Sequence, residues 1–554
     1  MAVSRCNLTS NFASFTGLDD AYIIHGSYDR TSPSKDPVER VHETMKDIGA
    51  SIALTTITST LAFGLGCISS VPAVFWLCLY AFPTIVLVLI YQITFFVAAI
   101  VLDERRIQDN RRDCCTCLKR SRELSENETQ EETDKSTARR VMHWYAQQLL
   151  KPVVQLVVIV GFCVLTAMAS ISASKLKQEF KFTDVLPDDS YVSDFYVSAQ
   201  EYSGRSLLQP HLYFRYVDTE TSLDAMEQYV AEMNKIPAID QESEFVWFRD
   251  FKVFVNTTGQ VQGLSFDQQV AAFLANPVYG ELYSKDMALD DSGKVIESRC
   301  TITLGNLDID NVQEQMEALA DQRAVSRRQP VNQGQDEWRF FSYDEVYNIW
   351  EFYTASVEEL ITTTILGVIS VSAIAFLLIP HWTAAIFVAP LIAVLYVDLL
   401  GFLQWVGVSI NVVSYVALVM SIGLLVDFIM HVLLRYYEGS GSRQERVVEM
   451  LETMGVSILI GGVSTFLGTM PLALSQSEIF TTVFLAFLGL VSLGVAHGLM
   501  LLPVILSLVG PEGFTIHLDD DSSSPGVEPK NEPKQPEGAL REPMDSDNDS
   551  DLEA

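Results

Sequence analysis

Long apolar runs dominate the chain and separate its membrane parts from its soluble parts. A helix needs about 20 mostly apolar residues to cross the hydrocarbon core of a bilayer. Eight stretches of the sequence meet this requirement, and we predict a transmembrane helix in each of them. They are residues 52–71, 74–101, 152–172, 361–380, 383–403, 410–434, 455–475 and 480–509.

A ninth apolar stretch, Gly17 to Tyr28, has only about half of the length that a span requires. The residues before it hold no sustained apolar segment, so they form neither a signal peptide nor a span. We therefore expect that the chain begins inside a helix whose first half is missing or replaced, as in an incomplete gene prediction.

Composition supports a membrane protein and excludes several other classes. Of the 554 residues, 49% are hydrophobic and 19% are charged, and the net charge is −33. Soluble domains carry about a quarter charged residues, and a nucleic-acid partner requires a basic face. Eight cysteines are too few for a disulfide scaffold. We therefore expect a multi-pass membrane protein that binds no nucleic acid.

Basic residues in short loops predict the orientation of the spans, because Lys and Arg accumulate on the cytoplasmic side. The linker 106–150 should therefore be cytoplasmic, as should the tail 511–554, whose 13 acids, 3 bases and few apolar residues predict disorder. The soluble segment 174–355 should face the lumen or the outside, in the plasma membrane or an endomembrane. The basic residues that decide this are Arg105, Arg106, Arg111, Arg112, Lys119 and Arg120.

The chain contains an internal repeat at one fixed offset. Residues 17–61 align with residues 423–467 without a gap and share 13 identities in 45 positions. Two matches are Glu39-Arg40-Val41 and Glu445-Arg446-Val447, in a polar loop where apolar bias does not explain them. Parallel repeats are typical of transporters, with sites near the midplane between the halves. By comparison with the second half, the first lacks three spans and an exterior domain, so we expect a truncated first repeat.

Four stretches of the sequence carry a family resemblance: Gly17-Leu18-Asp19-Asp20, YQITFFVAAIVLDERR at 91–106, SIGLLVDFIMH at 421–431 and HGLMLLPVILSLVGP at 497–511. They resemble the resistance–nodulation–division permeases, above all their Patched, Dispatched and Niemann–Pick type C branch. The resemblance implies that residues 17–105 are the C-terminal part of a sterol-sensing membrane domain, with part of its fourth span and its fifth and sixth spans. It also implies a span at 152–172, a ferredoxin-like exterior domain at 174–355 and a five-span domain at 361–509.

Ionisable residues inside the apolar segments are the candidates for function, because a charge at membrane depth is costly unless it is paired or functional. Asp427 and His431 are four positions apart, so they lie on one helix face and indicate a proton or cation relay. The resemblance implies that Asp19 and Asp20 face Asp427 across the two halves and couple ion movement to transport. In the alternative interpretation, these acids lie near helix ends and their side chains extend into water.

Two further ionisable residues lie in predicted spans. Asp398 is near the exterior half of its span, where it could cap the helix or reach water. His497 precedes Gly498 and is more typical of a packed helix contact than of a ligand.

No motif indicates an enzyme, a cofactor or a metal. The sequence contains no phosphate-binding GxxxxGK[ST] loop, no His-Glu-x-x-His and no Gly-x-Ser-x-Gly. The cluster of Cys114, Cys115 and Cys117 has one Cys-x-x-Cys spacing, but no second ligand pair follows it. These cysteines are candidates for palmitoylation near the membrane, and unmodified thiols are an equal alternative.

The segment 174–355 alternates strand and helix patterns and predicts an exterior α+β domain. Strands are expected at 211–217, 244–255 and 299–309, and helices at 222–236, 266–283 and 311–325. The predicted fold is therefore a polytopic α-helical membrane protein with this domain attached. We expect it to move or sense sterol or lipid, coupled to a proton or monovalent cation gradient. A lipid-responsive receptor that does not pump and an inactive truncated fragment are the alternatives, and the oligomeric state is open.

The orientation predicts a glycan on Asn256, the one sequon in the exterior segment. In sealed microsomes, protease added outside should leave residues 174–355 intact, and Asn256→Gln should remove a glycan-dependent shift in electrophoretic mobility. Cleavage within 180–350 in the absence of detergent would contradict the orientation.

Overall fold

The computed structural model describes residues 17, 19–109, 111, 124–179, 190–203, 208–259, 261–308, 311–379, 381–475 and 477–512. The predictions made for Cys114, Cys115 and Cys117, and for the tail beyond Glu512, lie outside these residues. The first membrane part comprises α1 (19–28), α2 (Pro37–Gly66) and α3 (Pro72–Gln108). It is followed by α4 (Leu124–Leu149) and α5 (Pro152–Ala173).

Local sequence explains where these helices begin. Proline stands at the start of α2, α3 and α5, where its fixed φ suits a helix and its missing N–H costs nothing. Asp36 caps α2 by accepting a hydrogen bond from the Val38 backbone N–H at 3.1 Å. α3 is not uniform, because it contains a π-helical turn at Gln92–Phe96.

The α+β domain is a sheet covered by helices. Its strands are β1 (His211–Arg215), β2 (Asp240–Phe245), β3 (Met287–Leu289), β4 (Val295–Thr303) and β5 (Phe340–Tyr343). The sheet order is β2-β4-β1-β5, β3 pairs with β4, and all of these pairs are antiparallel. The helices are α6 (Tyr191–Ser203), α7 (Thr219–Met233), α8 (Trp247–Thr257), α9 (Phe266–Ala275), α10 (Pro277–Tyr283) and α11 (Val312–Arg328).

α8 shows that the prediction of a strand over 244–255 was wrong beyond Phe245. Its aromatic residues favour a strand by composition, but Trp247, Phe248, Phe251 and Phe254 are buried together. Their spacing of one, three and three residues places them on one face of a helix. The period of burial therefore outweighed the β propensity of the aromatic side chains.

The second membrane part contains α12 (Tyr347–Leu378), α13 (Thr383–Trp405), α14 (Val412–Glu438), α15 (Arg443–Leu474) and α16 (Glu478–Val509). Among the described residues, eight helices are long and apolar enough to span a membrane, and each overlaps one of the eight predicted stretches. α14 is central, since 83% of its most apolar window is buried, compared with 11% for α3. A side chain on α14 is therefore surrounded by other helices.

The boundaries of the helices follow the sequence repeat. α2 and α15 begin at Pro37 and Arg443, and α3 and α16 begin at Pro72 and Glu478. In both pairs the second helix begins 406 residues after the first, which is the offset of the repeat. Corresponding segments of the two halves therefore form corresponding helices.

The α+β domain joins the membrane helices on one side, called the domain side below. Gln178, just after α5, donates a hydrogen bond to Ser356 Oγ of α12 at 2.8 Å. The same residue forms a β-bridge with Ile410, just before α14. The end of α5 and the starts of α12 and α14 are thereby fixed to each other.

Close helix packing depends on glycine at several crossings, as is common in membrane bundles. A Cβ atom on Gly401 of α13 would lie only 2.5 Å from Ala169 Cα and 2.6 Å from Ala169 O of α5. Backbone atoms cannot rotate away, so the two helices would have to separate.

We expect Gly401→Ala to destabilise the protein by about 1–3 kcal/mol, because overpacking outweighs the better helix propensity of alanine. The matched control is Gly161→Ala in α5, where a Cβ meets nothing within 4 Å. Thermal unfolding in detergent measures both variants. A Gly401→Ala protein as stable as the control would contradict the close crossing of α5 and α13.

Candidate ion-coupling site

A polar cavity lies among α1, α2, α3 and α14, deep in the apolar bundle. Its lining includes Asp20 of α1, Thr55 and Ser59 of α2, Gln92 of α3 and Asp427 of α14. Asp20 is 7% exposed. The cavity therefore brings two carboxylates from distant parts of the sequence to one enclosed place.

Asp427 takes its hydrogen bond from α2. Ser59 Oγ donates to Asp427 Oδ1 at 3.1 Å and lies 3.4 Å from the backbone oxygen of Gly423. The carboxylate is partly buried. A hydroxyl offers one hydrogen bond and no positive charge, so a further proton or cation at the Asp427 carboxylate would be stabilised there.

His431 links α1 and α2 to α14. Its Nδ1 lies 2.7 Å from Ser51 Oγ, and its Nε2 lies 3.6 Å from Asp20 Oδ1. The imidazole is 2% exposed. The sequence suggested Asp427 as the partner of His431 along one helix face, but the contacts of the ring are with Asp20 and Ser51.

The structure separates the adjacent acids Asp19 and Asp20. Asp20 faces the cavity, whereas Asp19 faces α15, where a Cβ on Gly461 would collide with its Oδ1. That oxygen is buried and has no hydrogen-bond partner among the described residues. Glycine at 461 therefore leaves the space that the Asp19 carboxyl group occupies.

Three contacts between α2 and α14 form a line of polar side chains, which we call the polar stripe. The residues recur at multiples of four along both helices, so each set lies on one face. At the end away from the domain side, Asp47 Oδ1 lies 3.0 Å from Arg435 Nη1. The stripe consists of Asp47, Ser51 and Ser59 of α2 with Arg435, His431 and Asp427 of α14.

The outer end of the stripe is a charge cluster centred on Arg435. Besides Asp47, its guanidinium lies 3.4 Å from Glu449 and 3.6 Å from Glu438. Arg30, just after α1, also contacts Asp47 at 3.3 Å. The cluster joins both halves where the polar stripe reaches the surface opposite the domain side.

Gln92, Ser51 and Ser59 are site residues that the sequence analysis did not single out. Gln92 stands in an otherwise apolar run, and its Nε2 donates to the Gly17 backbone oxygen at 2.9 Å. Polar residues at 47, 51, 55 and 59 recur every four positions in α2, which was a detectable signal. It was hidden because serine and threonine are common in membrane helices, where they bond their own backbone.

The remaining sequence candidates lie elsewhere. Asn256 is exposed near the end of α8, as a glycan acceptor must be. The expectation that Asp398 caps its helix or reaches water was wrong. Asp398 is 1% exposed and contacts His497. No group of three or more His, Cys, Asp or Glu side chains suited to a metal is found where the chain is described.

Comparison with known proteins agrees with this architecture. Residues 13–120 match the family "Sterol-sensing domain of SREBP cleavage-activation". The chain is 25% identical to NPC intracellular cholesterol transporter 1 of Sus scrofa, over 89% of this chain and 44% of the relative. It is 24% identical to Patched-related protein 9 of Caenorhabditis elegans, over 90% of this chain and 57% of the relative. The chain thus spans about half the length of these curated relatives.

A solved structure supports the fold. The hedgehog release protein Disp from the water bear Hypsibius dujardini aligns with a TM-score of 0.59 and 16% identity, covering 91% of this chain and 64% of that one. The fold is therefore that of a polytopic helical membrane protein of the resistance–nodulation–division type. Within this class, the chain is similar to NPC and Patched-related proteins, and its residues 13–120 match a sterol-sensing domain.

We expect Arg435→Gln to destabilise the protein by about 1–3 kcal/mol, because charged hydrogen bonds are lost and three carboxylates remain close together. Arg435 is 16% exposed. The control is Arg139→Gln, whose side chain is 59% exposed and 3.7 Å from Glu452, and which should lose less than about 1 kcal/mol. Equal unfolding midpoints for the two variants would contradict a stabilising role of the Arg435 cluster.

Proposed function

We propose that this chain is part of a permease that moves sterol or another membrane lipid, driven by a proton or monovalent cation gradient. The observation that carries the proposal is the meeting of Asp20 and Asp427 in one cavity, with His431 beside Asp20. Two carboxylates from the two halves can take up one proton or cation between them. The relatives named as cholesterol transporters support lipid as the cargo.

The polar stripe gives the coupling ion a route. From the cavity, His431 and Ser51 lead along α2 and α14 to Asp47 and Arg435 at the bundle surface. An imidazole with a hydroxyl hydrogen-bonded to one nitrogen and a carboxylate close to the other can pass a proton by accepting it at one nitrogen and releasing it at the other. Arg435 at the outer end repels cations, so it would act as a gate that opens when its carboxylate partners move.

The two halves provide the moving parts. We propose that α1–α3 and α14–α16 are parallel repeats, the first of them truncated, and the common offset of their helix starts supports this. Ion binding between Asp20 and Asp427 removes repulsion across the interface between the halves and favours their approach. Ion release reverses the change, as alternating access requires.

The α+β domain and the orientation complete the proposal. The sheet order β2-β4-β1-β5, with a helix between β1 and β2 and another between β4 and β5, supports a ferredoxin-like fold. The basic linker supports a cytoplasmic position for the side opposite this domain. Asn256, exposed on α8, would then carry a glycan in the lumen or outside.

Replacement of Asp427 tests the coupling directly. In liposomes with an imposed proton or sodium gradient, Asp427→Asn should reduce gradient-dependent transfer of a fluorescent sterol to background. Asparagine is nearly isosteric but cannot take up a proton or neutralise a cation. Asp20→Asn should have the same effect, while Asp291→Asn, which alters an exposed carboxylate of the α+β domain, should retain full transfer.

The same experiment separates the alternatives. Normal gradient-dependent transfer by a well-folded Asp427→Asn protein would contradict the coupling role of Asp427. If the unmodified chain binds the sterol but gradients never change its transfer, a lipid-responsive receptor is the better description. If it neither binds nor transfers the sterol, the chain is inactive by itself.

A further inference from the structure

A second acid–imidazole pair lies between α13 and α16, which contribute no residue to the Asp20–Asp427 cavity. Asp398 Oδ2 of α13 is 3.2 Å from His497 Nε2 of α16, and both side chains are completely buried. α5 completes the site, since Thr166 Oγ1 donates to Asp398 Oδ2 at 3.2 Å. The ring of Phe162 meets the imidazole edge-on, with 4.8 Å between the ring centres.

The hydrogen bonds limit where protons can be. His497 Nδ1 lies 2.8 Å from the Leu493 backbone oxygen, and a carbonyl only accepts, so Nδ1 carries a hydrogen. Nε2 therefore either accepts a proton from the carboxyl group or carries one itself. Asp398 Oδ1 and His497 Nε2 are buried, and neither makes a hydrogen bond among the described residues. The contact of Nε2 with Asp398 Oδ2 at 3.2 Å is therefore a close approach of an acid and a base, at a distance that a shared proton can bridge.

Among the residues that the structure describes, no other charged group forms an ion pair with either member of the pair. α5 presents the Thr166 hydroxyl and the Phe162 ring, and α16 presents the Leu493 carbonyl. Of the ionisable residues of α14, Asp427 and His431 contact α2 and α1, and Arg435 contacts Asp47 of α2. An ionised Asp398 beside a neutral imidazole would be an uncompensated buried anion, and two protons would leave a buried cation. One shared proton makes the pair neutral.

The helix geometry connects this pair with α14. His497 begins a π-helical turn, His497–Leu501, an irregularity that is often found at functional sites. A Cβ on Gly498 would lie 2.7 Å from the Phe428 backbone oxygen, and a Cβ on Gly494 would lie 2.7 Å from the Phe428 ring. α14 therefore packs directly against the turn that carries His497, at the residue next to Asp427.

We propose that Asp398 and His497 form a second proton-binding site that holds one proton between Oδ2 and Nε2 and fastens α5, α13 and α16 together. The proton moves between these two atoms without other bond changes. It passes to water only when the three helices separate. The site rests on its own contacts, so it stands whether or not Asp427 couples transport.

Spectroscopy of the full chain in phosphatidylcholine nanodiscs counts the protons on the pair. Nitrogen-15 labelling of histidine distinguishes the imidazolium from the two neutral tautomers, and His497→Gln identifies the His497 signal. Infrared spectra report protonated carboxyl groups. At neutral pH we expect either an imidazolium at His497 that Asp398→Asn abolishes, or a protonated carboxyl band that Asp398→Asn removes. Asp291→Asn should change neither signal.

Two results would overturn the proposal. One is a neutral His497 ring with no carboxyl band from Asp398. The other is an imidazolium at His497 together with a protonated carboxyl group at Asp398. If Asp398→Asn fails to fold, His497→Gln gives an independent answer, because the isolated buried Asp398 should then retain a proton. If the His497→Gln variant shows no carboxyl band from Asp398, the proposed proton-binding site is contradicted as well.

Thermal unfolding in detergent tests the fastening role. The double variant Asp398→Asn/His497→Gln should unfold at a lower temperature than the unmodified chain, because the contact that joins α13 and α16 is lost. An unchanged unfolding temperature would refute the fastening role.

Discussion

The contact between α2 and α14 is the interaction on which the arrangement of the bundle depends. Most membrane helices pack through apolar and small side chains, which fix register only weakly. Here Ser51 meets His431, Ser59 meets Asp427 and Asp47 meets Arg435. Each polar group would be unsatisfied if the helices slipped by a turn. The polar stripe therefore fixes α2 and α14 in one register and holds Asp427 at the cavity.

The position of α14 explains why so much chemistry gathers on it. A helix that is buried on almost all sides has to satisfy each polar side chain within the protein. One face of α14 meets α1 and α2 through His431 and Asp427. Another, at Phe428, packs on the glycines of α16 beside His497. A shift of α14 would therefore reach both acid–imidazole sites.

The two sites differ in a way that suits different tasks. The Asp20–Asp427 cavity lies between α1, α2, α3 and α14, next to the polar stripe whose outer end is the contact of Asp47 with Arg435. The Asp398–His497 pair is sealed, with both side chains fully buried within the second membrane part and α5. A cavity beside a line of polar side chains suits exchange of an ion, whereas a sealed pair suits retention of a proton. The geometry therefore fits the proposed coupling role at one site and the proposed fastening role at the other.

The sequence by itself determined the elements, because their signals are local. Span length and hydropathy predict eight helices that overlap the observed ones, and the 406-residue offset marks corresponding helix starts. Asp20, Asp427 and His431 are identifiable as unusual because charge is rare in apolar segments. The aromatic run in α8 misled us, since its burial pattern matters more than its composition.

Only the tertiary structure decided which groups meet. Asp19 and Asp20 are adjacent in sequence, but successive residues of a helix point about 100° apart, so one faces α15 and the other faces the cavity. The His431 ring contacts Asp20 of α1 and not Asp427, its neighbour on the same helix. Asp398 and His497 are 99 positions apart and carry no shared motif. Their pairing follows from how α5, α13 and α16 pack, and a contact between distant segments leaves no local pattern to detect.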